Sequence, residues 1–177
     1  MVFQGILIAN RGEIAIRIAR AAAELGIKSV AIYSEDDASS LHTKIADESF
    51  LLPGLGAAAY LNMEEVINAA KKSGCDAIHP GYGFLSEQAS FAVKCAEAGL
   101  TFIGPKVEHL KLFGDKGAAR AAEISAGVPV LKGIDKAVTL EEASTFFDEV
   151  EGGIIIKAVA GGGGRGTRSV TDKVDLE

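Results

Sequence analysis

The first 33 residues carry the pattern that most restricts the fold: an apolar run, a short turn, an apolar-faced helix and a second apolar run. Residues 2–9 favour a β-strand, and Asn10-Arg11-Gly12 forms the turn. The apolar positions that follow share one helical face: Ile14, Ile18, Ala21, Ala22 and Leu25. Residues 28–33 are apolar with little alternation, which is typical of a parallel strand buried on both faces. Because parallel neighbours need a crossover, the pattern predicts a βαβ unit.

The same alternation of strand and helix continues along the chain. Further strands are predicted at residues 48–52, 77–79 and 101–103, and helices at residues 63–72 and 87–98. The second of these helices is predicted to bury one stripe of side chains: Leu85, Ala89, Ala92, Val93 and Ala96. The expected fold is α/β, with an open, Rossmann-like parallel sheet covered on both faces and ending near Phe113.

A domain boundary is predicted at Gly114-Asp115-Lys116. Asp115 is suited to capping an alanine-rich helix that runs to about Ala126, and a further helix is predicted at residues 140–150. The first domain would span residues 1–113 and the second residues 114–177. Since the last residues are polar and do not complete a fold, the second domain is expected to be truncated.

Residues 154–166 form an apolar run that leads into four consecutive glycines. In a strand, Lys157 shares a face with Ile155 and Val159, so a cation lies on an apolar surface and needs an anionic partner. Glycines without Cβ atoms can bring backbone N–H groups against phosphate oxygens. A flexible linker is the alternative. Arg165 and Arg168 beside the glycines favour a β-hairpin that closes over a nucleotide.

Residues 79–87 place two glycines, a proline and Tyr82 directly after a predicted strand. Loops at the carboxyl ends of parallel strands carry ligand sites, although a rigid turn in which Tyr82 simply packs explains the pattern equally well. The first turn offers only Gly12 where a dinucleotide fingerprint needs three glycines, which argues against NAD. Lys116 in the first turn of its helix is either solvated or within reach of a phosphate.

Composition excludes several functions. A net charge of −6 with dispersed basic residues argues against nucleic acid as a partner. No apolar run is long enough for a membrane span, and the N-terminus does not resemble a signal peptide, so a cytoplasmic location is expected. Cys75 and Cys95 form no CxxC pair and are interpreted as reduced core thiols. The three histidines lack metal-ligand spacing, so no metal site is expected from this segment alone.

The chain resembles the N-terminal part of biotin carboxylases. The resemblance rests on motifs that occur in order over nearly the whole chain: residues 8–15 (IANRGEIA), 33–34 (YS), 46–48 (ADE), 79–87 (HPGYGFLSE), 102–105 (FIGP), 114–116 (GDK) and the Lys157 glycine loop. The family includes the biotin carboxylase parts of acetyl-CoA, propionyl-CoA and pyruvate carboxylases.

The resemblance implies a Rossmann-like domain followed by the start of an ATP-grasp domain. The implied activity is carboxylation of protein-linked biotin with MgATP and bicarbonate. Implied partners are a biotin carboxyl carrier domain, a carboxyltransferase and a second copy in a homodimer. The magnesium ligands and the catalytic residues of the family would lie beyond Glu177, so no catalytic residue is expected here, and the chain alone is predicted to be inactive.

Site residues also follow from the resemblance. Seven are implied to contact ATP: Lys116, Lys157, Gly162, Gly163, Gly164, Arg165 and Gly166. Tyr82 and Gly83 would lie near biotin, and Arg20 and Glu24 at the dimer interface. Two departures from the family pattern are Thr167, where methionine is usual, and the atypical stretch 131–153.

Two alternatives remain. One is a different ATP-grasp ligase, such as a carbamoyl-phosphate synthetase relative, from which residues 10–13 and 79–87 point away. The other is a non-catalytic dimerisation module that uses the charged face of the first helix.

Overall fold

The computed structural model describes residues 3–134, 136–158 and 166–176. The chain divides into two compact units, Met1–Gly114 and Asp115–Glu177. Each unit is described separately.

The first unit is built on a five-stranded parallel sheet in the order β3-β2-β1-β4-β5. The strands are β1 (Gly5–Ile8), β2 (Lys28–Tyr33), β3 (Glu48–Leu51), β4 (Ala77–His79) and β5 (Thr101–Phe102). The helices are α1 (Gly12–Glu24), α2 (His42–Ile45), α3 (Gly56–Tyr60), α4 (Met63–Lys72), α5 (Ala89–Glu97) and α6 (Val107–Gly114). The predicted parallel α/β fold is confirmed.

Both faces of this sheet are covered. Neighbouring residues of β1 point to opposite sides, so each side chain shows what packs on its face. Leu7 packs in a large cluster with residues of β2, α4 and α5, including Val66 and Phe91. Ile8 packs on the other side against α1, in a cluster that includes Ile18. The side chains of β1 are all buried, which explains why the strand carries no polar residue.

The bounds of strands and helices were predicted better than the buried faces of the helices. The predicted bounds of β2 and α4 match the structure. In α1, however, the buried residues are Ala15, Ile18, Ala19 and Ala22, whereas Ala21 and Leu25 are exposed. In α5 the buried residues are Phe91, Ala92 and Cys95. Of the predicted stripe, Leu85 and Ala92 are buried, Ala89 and Val93 are half-buried, and Ala96 is exposed.

The second unit contains two helices and an antiparallel hairpin. Its elements are α7 (Lys116–Ser125), α8 (Leu140–Asp148), β6 (Ile154–Lys157) and β7 (Thr167–Val170). Ile154 pairs with Val170, and both side chains are buried, which anchors the open end of the hairpin. The predicted hairpin is therefore present, and Asp115 caps α7 as expected, accepting a 2.9 Å bond from the N–H of Ala118. Helix α8 ends two residues earlier than predicted.

No helix among the described residues is long and apolar enough to cross a membrane.

Candidate functional site

The loops that follow β1 and β4 meet at the carboxyl edge of the sheet, where the strand order reverses. From β1 the chain builds outward through β2 and β3 on one side, and then through β4 and β5 on the other. Connections that leave in opposite directions open a crevice, and open α/β sheets bind ligands there. The loop of residues 80–84, here called the β4 loop, lies at this edge.

Asn10 fastens the β4 loop to the end of β1. Its side-chain Nδ2 donates hydrogen bonds to the carbonyl oxygens of Pro80 (2.7 Å) and Tyr82 (2.8 Å). Its Oδ1 accepts from the N–H of Arg11 at 2.9 Å. The residue is only 3% exposed, so these bonds also satisfy a buried amide that would otherwise destabilise the fold.

Gly81 allows the close approach of Asn10 to the loop. A Cβ at this glycine would lie 2.7 Å from Asn10 Nδ2, and the φ angle of +66° is one that other residues rarely adopt. The N–H of Gly81 donates to His79 Nδ1 at 3.0 Å. Burial lowers the pKa of His79, which keeps Nδ1 free to accept that bond.

Tyr82 presents its ring to solvent at the tip of the β4 loop, where it is 65% exposed. The interpretation in which the Tyr82 side chain simply packs is therefore wrong, since the first unit leaves the ring exposed. Gly83, the second residue implied to lie near biotin, follows it with a φ of +66° and open space around its Cβ position. An aromatic ring beside exposed backbone is suited to contact a flat, partly apolar ligand.

Phe84 closes the β4 loop in a left-handed conformation, with a φ of 45°. For a bulky residue this angle is unfavourable and needs support from surrounding contacts. The ring stacks on Tyr60, with centroids 5.2 Å apart. The guanidinium carbon of Arg11 lies 5.5 Å from the Tyr60 ring centroid and 5.7 Å from that of Phe84.

Asp37 holds Arg11 in this position. One carboxylate oxygen accepts from Arg11 Nη1 at 3.0 Å and from the Tyr60 hydroxyl at 2.8 Å, and the other accepts from Ser40 at 3.1 Å. Burial acts to raise the pKa of Asp37, but the bonds from Tyr60, Arg11 and Ser40 outweigh it, so the pKa lies below its ordinary value. For Tyr60, burial and the bond to Asp37 raise the pKa to about 12. An anionic acceptor thus faces a protonated phenol and a cation.

A shallow groove of about 720 Å³ runs between α1 and residues 40–42. Arg20 and Glu24, the two residues implied at a dimer interface, both line it, together with Arg17 and the exposed Leu41. Within the described part of the chain, Arg20 and Glu24 form no ion pair. The groove therefore combines unpaired charges of both signs with an apolar side chain.

The predicted ATP-binding residues belong to the second unit. Lys116 is the first residue of α7, and Lys157 is the exposed last residue of β6. Gly166 extends the pairing of β6 and β7, since its carbonyl oxygen accepts from the N–H of Ala158 at 2.8 Å. Gly162, Gly163, Gly164 and Arg165 lie outside the described residues.

Sequence reasoning identified the β4 loop but missed the residues that hold it. Asn10, Arg11, Asp37 and Tyr60 come from three separate stretches of the chain, and the hydrogen bonds that join these stretches to one another or to the loop span at least 23 residues. One signal was present: an amide directly after a buried strand must find hydrogen-bond partners at the edge of the sheet.

A metal site does not form among the residues that the structure describes. No group of three or more histidine, cysteine or acidic side chains there is close enough to hold a metal ion.

The two units define an α/β protein with a Rossmann-like first part and a partial ATP-grasp-type second part. Residues 2–110 match the family model described as biotin carboxylase, N-terminal domain. Residues 115–177 match the model described as carbamoyl-phosphate synthase L chain, ATP binding domain. The chain therefore belongs to the biotin carboxylase family.

Similar proteins cover nearly the whole chain. A pyruvate carboxylase of Staphylococcus aureus is 55% identical over 175 residues, which are 97% of this chain and 15% of that protein. Biotin carboxylase 1 of Bacillus subtilis is 47% identical over 97% of this chain and 38% of its own length. The chain thus spans well under half the length of these relatives.

A solved structure supports the same assignment. The biotin carboxylase domain dimer of 2-oxoglutarate carboxylase from Hydrogenobacter thermophilus, in complex with MgADP, ADP and bicarbonate, is 44% identical to the chain. It superposes with a TM-score of 0.92 over 99% of this chain and 39% of that one.

Proposed function

We propose that this chain supplies the N-terminal part of a biotin carboxylase, an enzyme that carboxylates protein-linked biotin with MgATP and bicarbonate. The observation that carries the proposal is the β4 loop, which presents Tyr82 and Gly83 at the strand-order reversal of a family-matched Rossmann-like domain. The relatives described as biotin carboxylases and the MgADP and bicarbonate complex agree with it.

In this proposal the second unit binds ATP. Lys116 and Lys157 neutralise phosphate charge, and residues 162–166, with the guanidinium of Arg165, cradle phosphate oxygens. Two features of the described residues support this role. Lys157 is exposed at the end of its strand, and the hydrogen bond from Ala158 N–H to the Gly166 carbonyl oxygen holds the two described ends of residues 158–166 together. ATP supplies the energy of the reaction, while these residues bind and orient it.

Magnesium is proposed to bind elsewhere in the enzyme. The described residues contain no cluster of acidic side chains suited to an oxygen-ligated cation. In this proposal the chain therefore contributes cationic side chains and backbone N–H groups to the MgATP site.

The first unit is proposed to serve biotin and assembly. Tyr82 and Gly83 would face the biotin that a carrier domain presents, before a carboxyltransferase consumes the carboxylated product. The domain boundary is proposed to fall at residues 113–114. A homodimer would form through the groove that contains Arg20 and Glu24. Gel filtration over a range of concentrations tests the dimer, because its elution volume should change on dilution. The cytoplasmic location remains a prediction from sequence.

The proposed ATP role is tested by calorimetry and kinetics with Lys157→Ala. We use the enzyme formed by this chain together with the remainder of a biotin carboxylase. Loss of a charge-assisted hydrogen bond corresponds to about 1.5–3 kcal/mol, so the dissociation constant of MgATP should rise roughly 10–100-fold. Lys71→Ala, which removes an exposed lysine at the end of α4, is the matched control and should change nothing.

Three outcomes would contradict parts of the proposal. Unchanged MgATP affinity in Lys157→Ala would remove Lys157 from the nucleotide site. Absence of biotin- and bicarbonate-dependent ATP hydrolysis in the complete enzyme would overturn the proposed activity. Biotin-dependent hydrolysis by this chain alone would refute the prediction that it is inactive by itself.

A further inference from the structure

The β4 loop has little regular structure of its own to fix its shape. Residues 80–84 belong to no strand or helix, and two of them are glycines with a φ of +66°. Such a segment samples many conformations unless side chains from elsewhere hold it. Its exposed ring and open glycine nevertheless have to meet a ligand in one geometry, because binding and catalysis both weaken when contact groups are mispositioned.

We propose that Asn10 and Arg11 are positioning residues that set the shape of the β4 loop for its ligand. They hold the two ends of the loop by different means. Asn10 binds the carbonyl groups on either side of Gly81, and Arg11 packs against the ring of Phe84. The identity of the ligand as biotin rests on the proposed function above, whereas the positioning itself rests on these contacts.

The chemistry at Asn10 requires an amide. Both of its Nδ2 hydrogens are donated to carbonyl oxygens at 2.7 and 2.8 Å, and its oxygen accepts from a backbone N–H. Aspartate has nearly the same shape but, when ionised, accepts hydrogen bonds only. Asn10→Asp would therefore point a negative charge at two carbonyl oxygens and release the loop with little change in volume.

The second support is the planar cation of Arg11. It lies against two stacked rings while Asp37 accepts from its Nη1 at 3.0 Å. Lysine keeps the charge but lacks the planar group that stacks on aromatic faces. Arg11→Lys therefore weakens the support under Phe84, whose left-handed backbone depends on it.

The test is a pair of measurements on Asn10→Asp and Arg11→Lys. Amide hydrogen exchange on the chain should be faster at Gly81 and Ser86, whose N–H groups donate to His79 Nδ1 and to the carbonyl oxygen of Gly83, and unchanged in β1, β2 and α4. In the complete enzyme, kcat/KM for biotin should fall at least about tenfold for Asn10→Asp and several-fold for Arg11→Lys, while the KM for ATP stays constant. Asn62→Asp is the matched control, because aspartate caps α4 as well as asparagine does.

The possible outcomes separate three explanations. A uniform loss of activity with a lowered melting temperature and unchanged biotin KM would show a merely structural role and overturn the inference. Faster loop exchange with unchanged biotin kinetics would also overturn it, while the proposed function stands. If the wild-type enzyme does not carboxylate biotin, the proposed function fails, and amide exchange at Gly81 and Ser86 still decides whether Asn10 and Arg11 order the loop.

Discussion

Gly81 and Gly83 have the same backbone angle but different surroundings. Both have a φ of +66°, yet an added Cβ would meet Asn10 Nδ2 at 2.7 Å at Gly81 and nothing within 4 Å at Gly83. The pair separates the cost of the backbone angle from the cost of displacing Asn10.

Alanine at each position should therefore destabilise the first unit by different amounts. Gly83→Ala should lower the free energy of unfolding by about 1–2 kcal/mol, the cost of a left-handed residue. Gly81→Ala should cost a further ~1–3 kcal/mol, because Asn10 has to move away from buried carbonyl groups. Urea denaturation measures both values, and equal losses for the two variants would contradict the close approach.

At this scale the sequence indicated a candidate ligand loop but not how it is held. The loop of residues 79–87 was identified from a strand end and a glycine pair, which are local signals, whereas Tyr82 and Gly83 were singled out by the family resemblance. The partner of the loop lies 70 residues earlier, at Asn10. The pattern of a single chain segment carries no information about such a distant hydrogen bond.

Among the elements, α8 begins with two reciprocal hydrogen bonds. Thr139 Oγ1 accepts from the N–H of Glu142 at 3.2 Å, and Glu142 accepts from the N–H of Thr139 at 2.9 Å. This capping box satisfies two backbone donors that the start of the helix would otherwise leave to water. The capping box fixes where α8 begins.

Thr139→Ala should destabilise the second unit by about 1 kcal/mol, since it removes the side-chain half of the capping box. Thr139→Ser keeps the hydroxyl and is the matched control, with no expected loss, because serine caps helices at least as well as threonine does. Denaturant titration followed by circular dichroism gives both values. Equal stability of the alanine and serine variants would mean that the cap does not limit the stability of this unit.

The strands and the longer helices were predictable from their apolar patterns, whereas the short helices were not. The bounds of β2 and α4 follow from an unbroken apolar run and a helical period. Helices α2 and α3, with four and five residues, are too short to show a period and were missed. Part of the face predicted for α1 is exposed, because apolar residues surround much of the helix and the sheet buries mainly its small alanines.

On the scale of the whole molecule, two partly or fully buried histidines couple stability to pH. His42 is 1% exposed, and its Nε2 lies 3.2 Å from the carbonyl oxygen of Ile32, to which it donates. Burial lowers its pKa, and this outweighs the opposing effects of the Ile32 carbonyl and Asp37, while Arg11 acts in the same direction as burial. Burial lowers the pKa of His79 as well.

Stability should therefore decrease as the pH falls below about 6.5, the value in the unfolded chain. There the unfolded chain binds protons that the folded histidines do not, so each contributes a slope of at most about 1.4 kcal/mol per pH unit. Melting temperatures between pH 5 and 8 measure this dependence of stability on pH. The interval lies above the pH at which Asp37 and Asp47 titrate, because their pKa values are lowered. His42→Gln retains a donor for Ile32 and should reduce the slope; an unchanged slope would exclude His42 as a source.

The central position of β1 also affects how the molecule is made. It leaves the ribosome before the other described strands of its sheet, yet one of its two edges pairs only with β4, roughly 70 residues later. At about 5–20 residues per second, the nascent chain leaves that edge open for roughly 3–14 seconds. During this interval Asn10 has no loop to bind, so the most buried strand of the finished domain is also the one that depends longest on protection from other chains.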